Sequence, residues 1–284
     1  MTSTNLTHFQ TVKDNSVSKE TFELLYDENL DMLITSPQPD ENNLSRYYES
    51  EDYISHTDGK RSLFEKAYHF IKDIALKNKL SLINDLQASK GNLLDIGAGT
   101  GDFLLVAKKN GWNAVGIEPS EKARSIANQK GVELKQNLSD FESSSFDIIT
   151  MWHVLEHVPN LEIQIKELKR LVKPNGTIII AVPNFKSYDA NHYKEFWAAF
   201  DTPRHLWHFS KTAIKKLFQK EDIELIKILP MKFDSFYVSL LSEKYKTGKM
   251  NFIKAFFVGL KSNWKAKQNF EYSSHIYVLK NAKN

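Results

Sequence analysis

Leu93-Leu94-Asp95-Ile96-Gly97-Ala98-Gly99-Thr100-Gly101-Asp102-Phe103 passes from an apolar, strand-like run through three alternating glycines into the start of a helical stretch. Glycine at such a junction permits a tight turn and lets a ligand approach the backbone. The free N–H groups and dipole of the helix start favour an anionic group there. The same alternation extends downstream. NAVGIE (113–118), VELK (132–135), FDIITMW (146–152) and TIIIAV (177–182) read as strands, with helices starting at Asp102 and Ser120 and a third running from Leu161 to Val172. Strands this apolar, alternating with helices, predict a doubly wound α/β fold whose mostly parallel sheet is covered on both faces. Lys173-Pro174-Asn175-Gly176 reads as a turn into the buried strand. A helix at Lys211–Gln219 and strands at Glu224–Leu229 and His275–Leu279 continue the pattern.

Upstream, residues 61–90 form a helical lead-in or lid. Leu63, Phe64, Ala67, Tyr68, Ile71, Ile74, Ala75, Leu82, Ile83 and Leu86 recur mostly at steps of three and four, which predicts one or two amphipathic helices. Residues 1–60 are an N-terminal extension with a small hairpin predicted across Phe22–Thr35, around Asp27-Glu28-Asn29, and with frayed opening residues. The main domain occupies 91–284. Two insertions interrupt it, an aromatic-rich one at 183–209 and a Lys-rich one at 232–270. Long loops leaving the carboxyl ends of parallel strands are where such folds build substrate pockets.

The 284 residues, 41% hydrophobic, with 11 Gly and 8 Pro, exclude collagen-like and wholly disordered chains. A net charge of +3 does not call for a nucleic-acid partner. It conceals an asymmetry: 4 Lys/Arg against 12 Asp/Glu in residues 1–60, but 9 Lys against 2 Glu in residues 241–284. With no cysteine there is no disulfide, thiolate nucleophile or Cys-ligated metal. The first residues lack a basic-then-apolar leader, and no apolar run approaches the roughly 18 residues that span a bilayer, so the expectation is a cytoplasmic protein.

Glu118 ends the second strand, 23 residues after Asp95. A carboxylate there can accept from both hydroxyls of a ribose, which predicts a nucleoside ligand. The dinucleotide fingerprint is G-x-G-x-x-G, whereas Gly97, Gly99 and Gly101 form G-x-G-x-G, preceded by Asp95. This loop resembles that of class I S-adenosylmethionine-dependent methyltransferases. IEPSEKA (117–123), FDIITMWHVLEHVPN (146–160) and LKRLVKPNGTIIIAVPN (168–184) resemble their later motifs, in order. Leu155-Glu156-His157-Val158 is similar to the ubiquinone-biosynthesis O-methyltransferase subgroup. The resemblance implies a Rossmann-like sheet of seven strands and S-adenosylmethionine as cofactor, leaving as S-adenosylhomocysteine. It implies that Asp95, Gly97, Ala98, Gly99 and Gly101 surround the amino-acid part, Glu118 the ribose, Asn137 and Leu138 the adenine, and Trp152 and His153 the methionine end.

His153-x-x-Glu156-His157 also matches, as text, an inverted zinc-protease pattern, but it follows a buried strand where that site needs two histidines on one helical face. In some quinone O-methyltransferases the corresponding cluster holds a divalent metal; here His153 replaces one of its acids. The expectation is no metal, with Glu156 and His157 fixing the loop. Tyr188, Trp197, Arg204, His205 and His208 in the first insertion suit an apolar pocket with a few orienting polar groups, and Tyr48, Tyr53 and His56 a lid over it. His153 and His205 are the candidate proton acceptors. The expected reaction is methyl transfer to a small molecule, at oxygen. Three readings stand beside it: an RNA methyltransferase, an NAD-dependent oxidoreductase and a non-catalytic S-adenosylmethionine-binding protein. The basic, apolar stretch 253–267 suits peripheral contact with a membrane or a second subunit.

Overall fold

Phe22, Leu24 and Leu33 point into the protein from an antiparallel ribbon of three strands, β1 (Leu6–Lys13), β2 (Thr21–Asp27) and β3 (Met32–Ser36). This is a computed structural model of the chain, and it describes residues 6–48, 63–87 and 89–281. From Leu6 on, β1 takes the place of the frayed start expected from the sequence; residues 1–5 lie outside the described residues. Only Val12 of its eight side chains is buried, so it carries almost no apolar alternation, and pairing with β2 defines it instead. A single long helix, α1 (Leu63–Leu86), leads into the main sheet.

That sheet holds β4 (Asn92–Ile96), β5 (Asn113–Ile117), β6 (Leu134–Lys135), β7 (Phe146–Trp152), β8 (Val172–Pro183), β10 (Ile223–Pro230) and β11 (Ser274–Asn281). Their order is β10-β11-β8-β7-β4-β5-β6, and only β11 runs against its neighbours. Helices α2 (Asp102–Lys109), α3 (Glu121–Gln129), α4 (Leu161–Leu171) and α6 (Lys211–Gln219) connect the strands. Ser120, Asn160 and Ser210 each accept a backbone N–H at a helix start, a cap worth about 1 kcal/mol. Ile178, Ile179 and Ile180 in β8 are fully enclosed, as a strand covered on both faces requires. β8 begins at Val172, so the expected turn at 173–176 is strand.

The first insertion forms α5 (Tyr188–Tyr193), two short 3-10 turns and β9 (Trp207–His208), which pairs with β3 as the fourth strand of the small sheet. The second forms α7 (Asp234–Thr247) and α8 (Phe252–Asn269). Phe22, Leu24, Leu33, Phe185, Tyr193, Trp197, Phe200 and Val258 share one core, so the N-terminal ribbon is packed into both insertions. Arg204 ties this region together: it pairs with Asp14 at 3.1 Å and Asp201 at 2.6 Å and donates to the carbonyl of Tyr47.

Candidate active site

The chain runs outward from β4 to β5 and β6, then returns to place β7 on the other side of β4. The carboxyl ends of strands at such a reversal leave a crevice between loops that point in opposite directions. Asp95 and Thr150 are buried register partners on β4 and β7 at its base, the Thr150 hydroxyl donating to Asp95 Oδ1 at 2.6 Å. Burial pushes the Asp95 carboxyl up to about 6, opposed by that bond and by the nearby Lys79 cation. Gly97, Ala98, Gly99 and Gly101 curve over the end of β4, and the N–H groups of Gly97 and Ala98 both reach the Ile117 carbonyl at 2.9 Å.

Two of the glycines have separate reasons. At Gly97 (φ +72°) a Cβ would lie 2.3 Å from Val154, because the loop after β7 closes directly onto the turn. At Gly99 (φ +54°) a Cβ would meet nothing within 4 Å, which leaves the bare backbone facing open space. Beside that space Glu118 accepts from Gly99 N–H and Ser120 N–H, each at 2.9 Å, through different oxygens. Each oxygen keeps a further lone pair for a ligand hydroxyl. Asn137 is exposed just beyond β6 and Leu138 half-buried beside it. Trp152 packs edge-on against Phe103, and its buried Nε1–H has no partner among the described residues. An open glycine face, a carboxylate with spare lone pairs and an unpaired indole donor fit a nucleoside carrying an amino-acid group.

Two groups at this crevice carry no signal in the sequence. Lys79 of α1 lies over the Trp152 ring, 4.5 Å from its centroid; burial lowers its pKa, while Asp95 and Asp234 act to raise it. Nothing in the spacing of Lys72, Lys77 and Lys79 marks one of them out. Asp234 opens α7 and reaches His153 Nε2 at 3.3 Å, while Glu156 holds His153 Nδ1 at the same distance. Burial alone would lower the His153 pKa, but the bonds with Asp234 and Glu156 lift it to about 10, so this imidazole is a cation at neutral pH.

Behind His153 lies a cluster drawn from distant positions. His157 Nδ1 lies 3.0 Å from the carbonyl of Arg204, and His205 Nδ1 lies 2.9 Å from that of Ala199. A carbonyl only accepts, so the Nδ1 of each ring carries a proton and its Nε2 is turned away from that bond. Glu156, His157 and His205 bring one ligating atom each within 4.8 Å of one another, and Glu156 Oε2 has no hydrogen-bond partner among the described residues. Two imidazoles oriented by carbonyls with one carboxylate are a donor set that suits a divalent cation. Burial and the neighbouring His205 lower His157 to about 4. Tyr48 adds its hydroxyl 3.1 Å from His157 Nδ1; Tyr53 and His56 lie outside the described residues.

The remaining acceptor-side candidates are not gathered at the crevice. Trp197 is buried and donates to Asp189 at 2.8 Å, Arg204 is enclosed between its two aspartates, and His208 Nε2 lies 3.0 Å from the Thr35 hydroxyl. Tyr188 stacks on His192 and lies beneath Lys261 of α8.

The sequence profile of the family described as a methyltransferase domain matches residues 64–228. The ubiquinone biosynthesis O-methyltransferase of Coxiella burnetii (strain Dugway 5J108-111) is 32% identical over 135 residues, 43% of this chain and 56% of that protein. The chain therefore spans about half the length of that relative. Among solved structures, an S-adenosylmethionine-dependent methyltransferase from Thermotoga maritima superposes with a TM-score of 0.54 at 18% identity, over 83% of this chain and 98% of that one. Geranyl diphosphate C-methyltransferase from Streptomyces coelicolor A3(2), solved with S-adenosyl-L-homocysteine, gives 0.53 at 14%, over 79% and 88%. At these identities the structures share the fold. The chain belongs to the methyltransferase-domain family and has the Rossmann-like fold of its S-adenosylmethionine-dependent members.

Proposed function

We propose that the chain transfers the methyl group of S-adenosylmethionine to a small-molecule acceptor, with oxygen as the methylated atom. The observation that carries this reading is the open α-carbon of Gly99 beside the Glu118 carboxylate, at the carboxyl end of the reversal between β4 and β7. The name of the Coxiella burnetii relative supports oxygen. When bound, the cofactor supplies a sulfonium methyl already activated for in-line attack.

In this reading Glu118 holds the ribose hydroxyls and Asn137 and Leu138 border the adenine. Asp95 and Lys79 offer an anion and a cation to the ammonium and carboxylate of the methionine end. Gly97, Ala98 and Gly101 shape the turn that leaves Gly99 bare. Trp152 covers the methionine chain. His153, charged and clamped by Asp234 and Glu156, donates and orients rather than accepts a proton. His205, its Nδ1 held by the Ala199 carbonyl, is then the remaining histidine to take the proton of the acceptor. Alignment is the main contribution of the protein, since well-oriented intramolecular reactions reach effective molarities of roughly 10⁵–10⁸ M. A cytoplasmic setting belongs to this reading, and the absence of cysteine fits it.

Isothermal titration with S-adenosylhomocysteine and with NADH tests the donor. Micromolar binding of the first and none of the second is expected, and the reverse would turn the reading to an oxidoreductase. Methyl incorporation from labelled donor into a panel of phenols and catechols tests the acceptor; incorporation into RNA alone would defeat the small-molecule assignment.

A further inference from the structure

Helix α8 is built inside out. Its inward stripe is Ala255, Val258, Gly259, Ser262 and Ala266, all buried. Its outward stripe is Ile253, Phe256, Phe257, Leu260 and Trp264, between 48% and 75% exposed. Both follow the spacing i, i+3, i+4, i+7, i+11, and they are offset by two residues. At about 100° per residue the large side chains therefore lie on the side of the helix away from its packed face, with Phe256 at the edge, where its ring stacks on Phe236 of α7. The small residues cannot be exchanged for the large ones by rotating the helix. A Cβ on Gly259 would lie 2.7 Å from Phe236 of α7, and Ser262 donates to the buried Asp189 at 2.6 Å.

Soluble proteins seldom leave a contiguous apolar patch of more than a few hundred Å². At roughly 150–250 Å² for a whole aromatic side chain, this stripe presents on the order of 500 Å². Lys254, Lys261 and Lys265 form a third stripe along its flank, with Lys267 at the end and Lys246 and Lys249 exposed at the α7–α8 turn. Lys254 meets Glu243, but α8 itself contains no acidic residue. A second copy laid on this face would bring lysine rows together with no acid between them. A partner offering an apolar interior behind a layer of negative charge satisfies both stripes. No described helix is long and apolar enough to cross a membrane, so the contact is with its surface.

We propose that the outward face of α8 docks in the interfacial layer of a bilayer containing anionic lipids, the aromatic and aliphatic stripe entering the acyl boundary and the lysines meeting the headgroups. This does not depend on the methyl-transfer reading, because the surface is read without the crevice.

The test is co-sedimentation of the full chain with phosphatidylcholine vesicles, with and without phosphatidylglycerol. Binding to the mixed vesicles is expected to exceed that to phosphatidylcholine alone by about tenfold, and to weaken as salt rises. Phe257→Ser with Trp264→Ser removes apolar surface without adding charge and should lower binding about tenfold; Lys261→Gln with Lys265→Gln should reduce the dependence on anionic lipid and on salt. Unchanged melting temperatures separate these losses from misfolding, since all four side chains are exposed. Failure of the wild type to bind mixed vesicles, or equal binding by the Phe257/Trp264 variant, overturns the proposal. Self-association abolished by Phe257→Ser, or binding to homopolymer RNA, without vesicle binding would assign the face to those partners instead.

Discussion

In the proposed reading the donor side of the crevice is assembled from four adjacent strand ends and the loops that leave them, whereas the acceptor side draws Tyr48, Glu156, His157, His205 and Asp234 from four separate elements or turns. The first arrangement is local: Glu118 reaches Gly99 across 19 positions, and Thr150 reaches Asp95 across 55. The second is held by bonds such as Arg204 to Asp14, across 190 positions. A local site tolerates change elsewhere in the chain, while a site held by long-range ion pairs fails when its frame does.

That contrast can be broken most severely at Arg204. Arg204→Ala leaves Asp14 buried without its cation and should cost about 3–5 kcal/mol in denaturant unfolding, with S-adenosylhomocysteine binding retained in the folded fraction. Equal loss of donor binding would merge the two sides. Gly99→Val fills the space beside Glu118 and should weaken S-adenosylhomocysteine at least a hundredfold by calorimetry, about 3 kcal/mol or more. Glu118→Ala should weaken it by about 1–3 kcal/mol, and unchanged affinity would end the ribose assignment.

A further effect is on the pH dependence of stability. The His153 pKa is raised from 6.5 to about 10, so its contribution to stability is whole below 6.5 and disappears as pH climbs through 10. Thermal melts of the wild type should fall more steeply between those values than melts of His153→Gln. Parallel slopes would show that Glu156 and Asp234 do not hold a charged ring.

The same division explains how far the sequence can be read. The doubly wound sheet follows from runs such as TIIIAV, whose burial on both faces leaves no polar alternation, and the glycine loop lies at a strand-to-helix junction that those runs locate. β1 escapes because pairing with β2, not burial, fixes it. Lys79 escapes because its position over Trp152 depends on how α1 lies across the sheet, which no spacing within α1 records. Asp234 escapes for a related reason: it belongs to an inserted helix whose docking brings it to His153. In the aromatic insertion, composition suggested a pocket, but Trp197 and Arg204 face interior carboxylates that only the folded arrangement reveals.

The reach of the Arg204–Asp14 pair also bears on the order of assembly. Closing a long loop adds little to its entropic cost with each added residue, but widely separated contacts slow the search for them. Contacts around the glycine turn require a much shorter search than a clasp uniting residue 14 with residue 204. A chain trimmed of its opening strands would keep the turn but lose the clasp, and with it the core that joins the ribbon to both insertions.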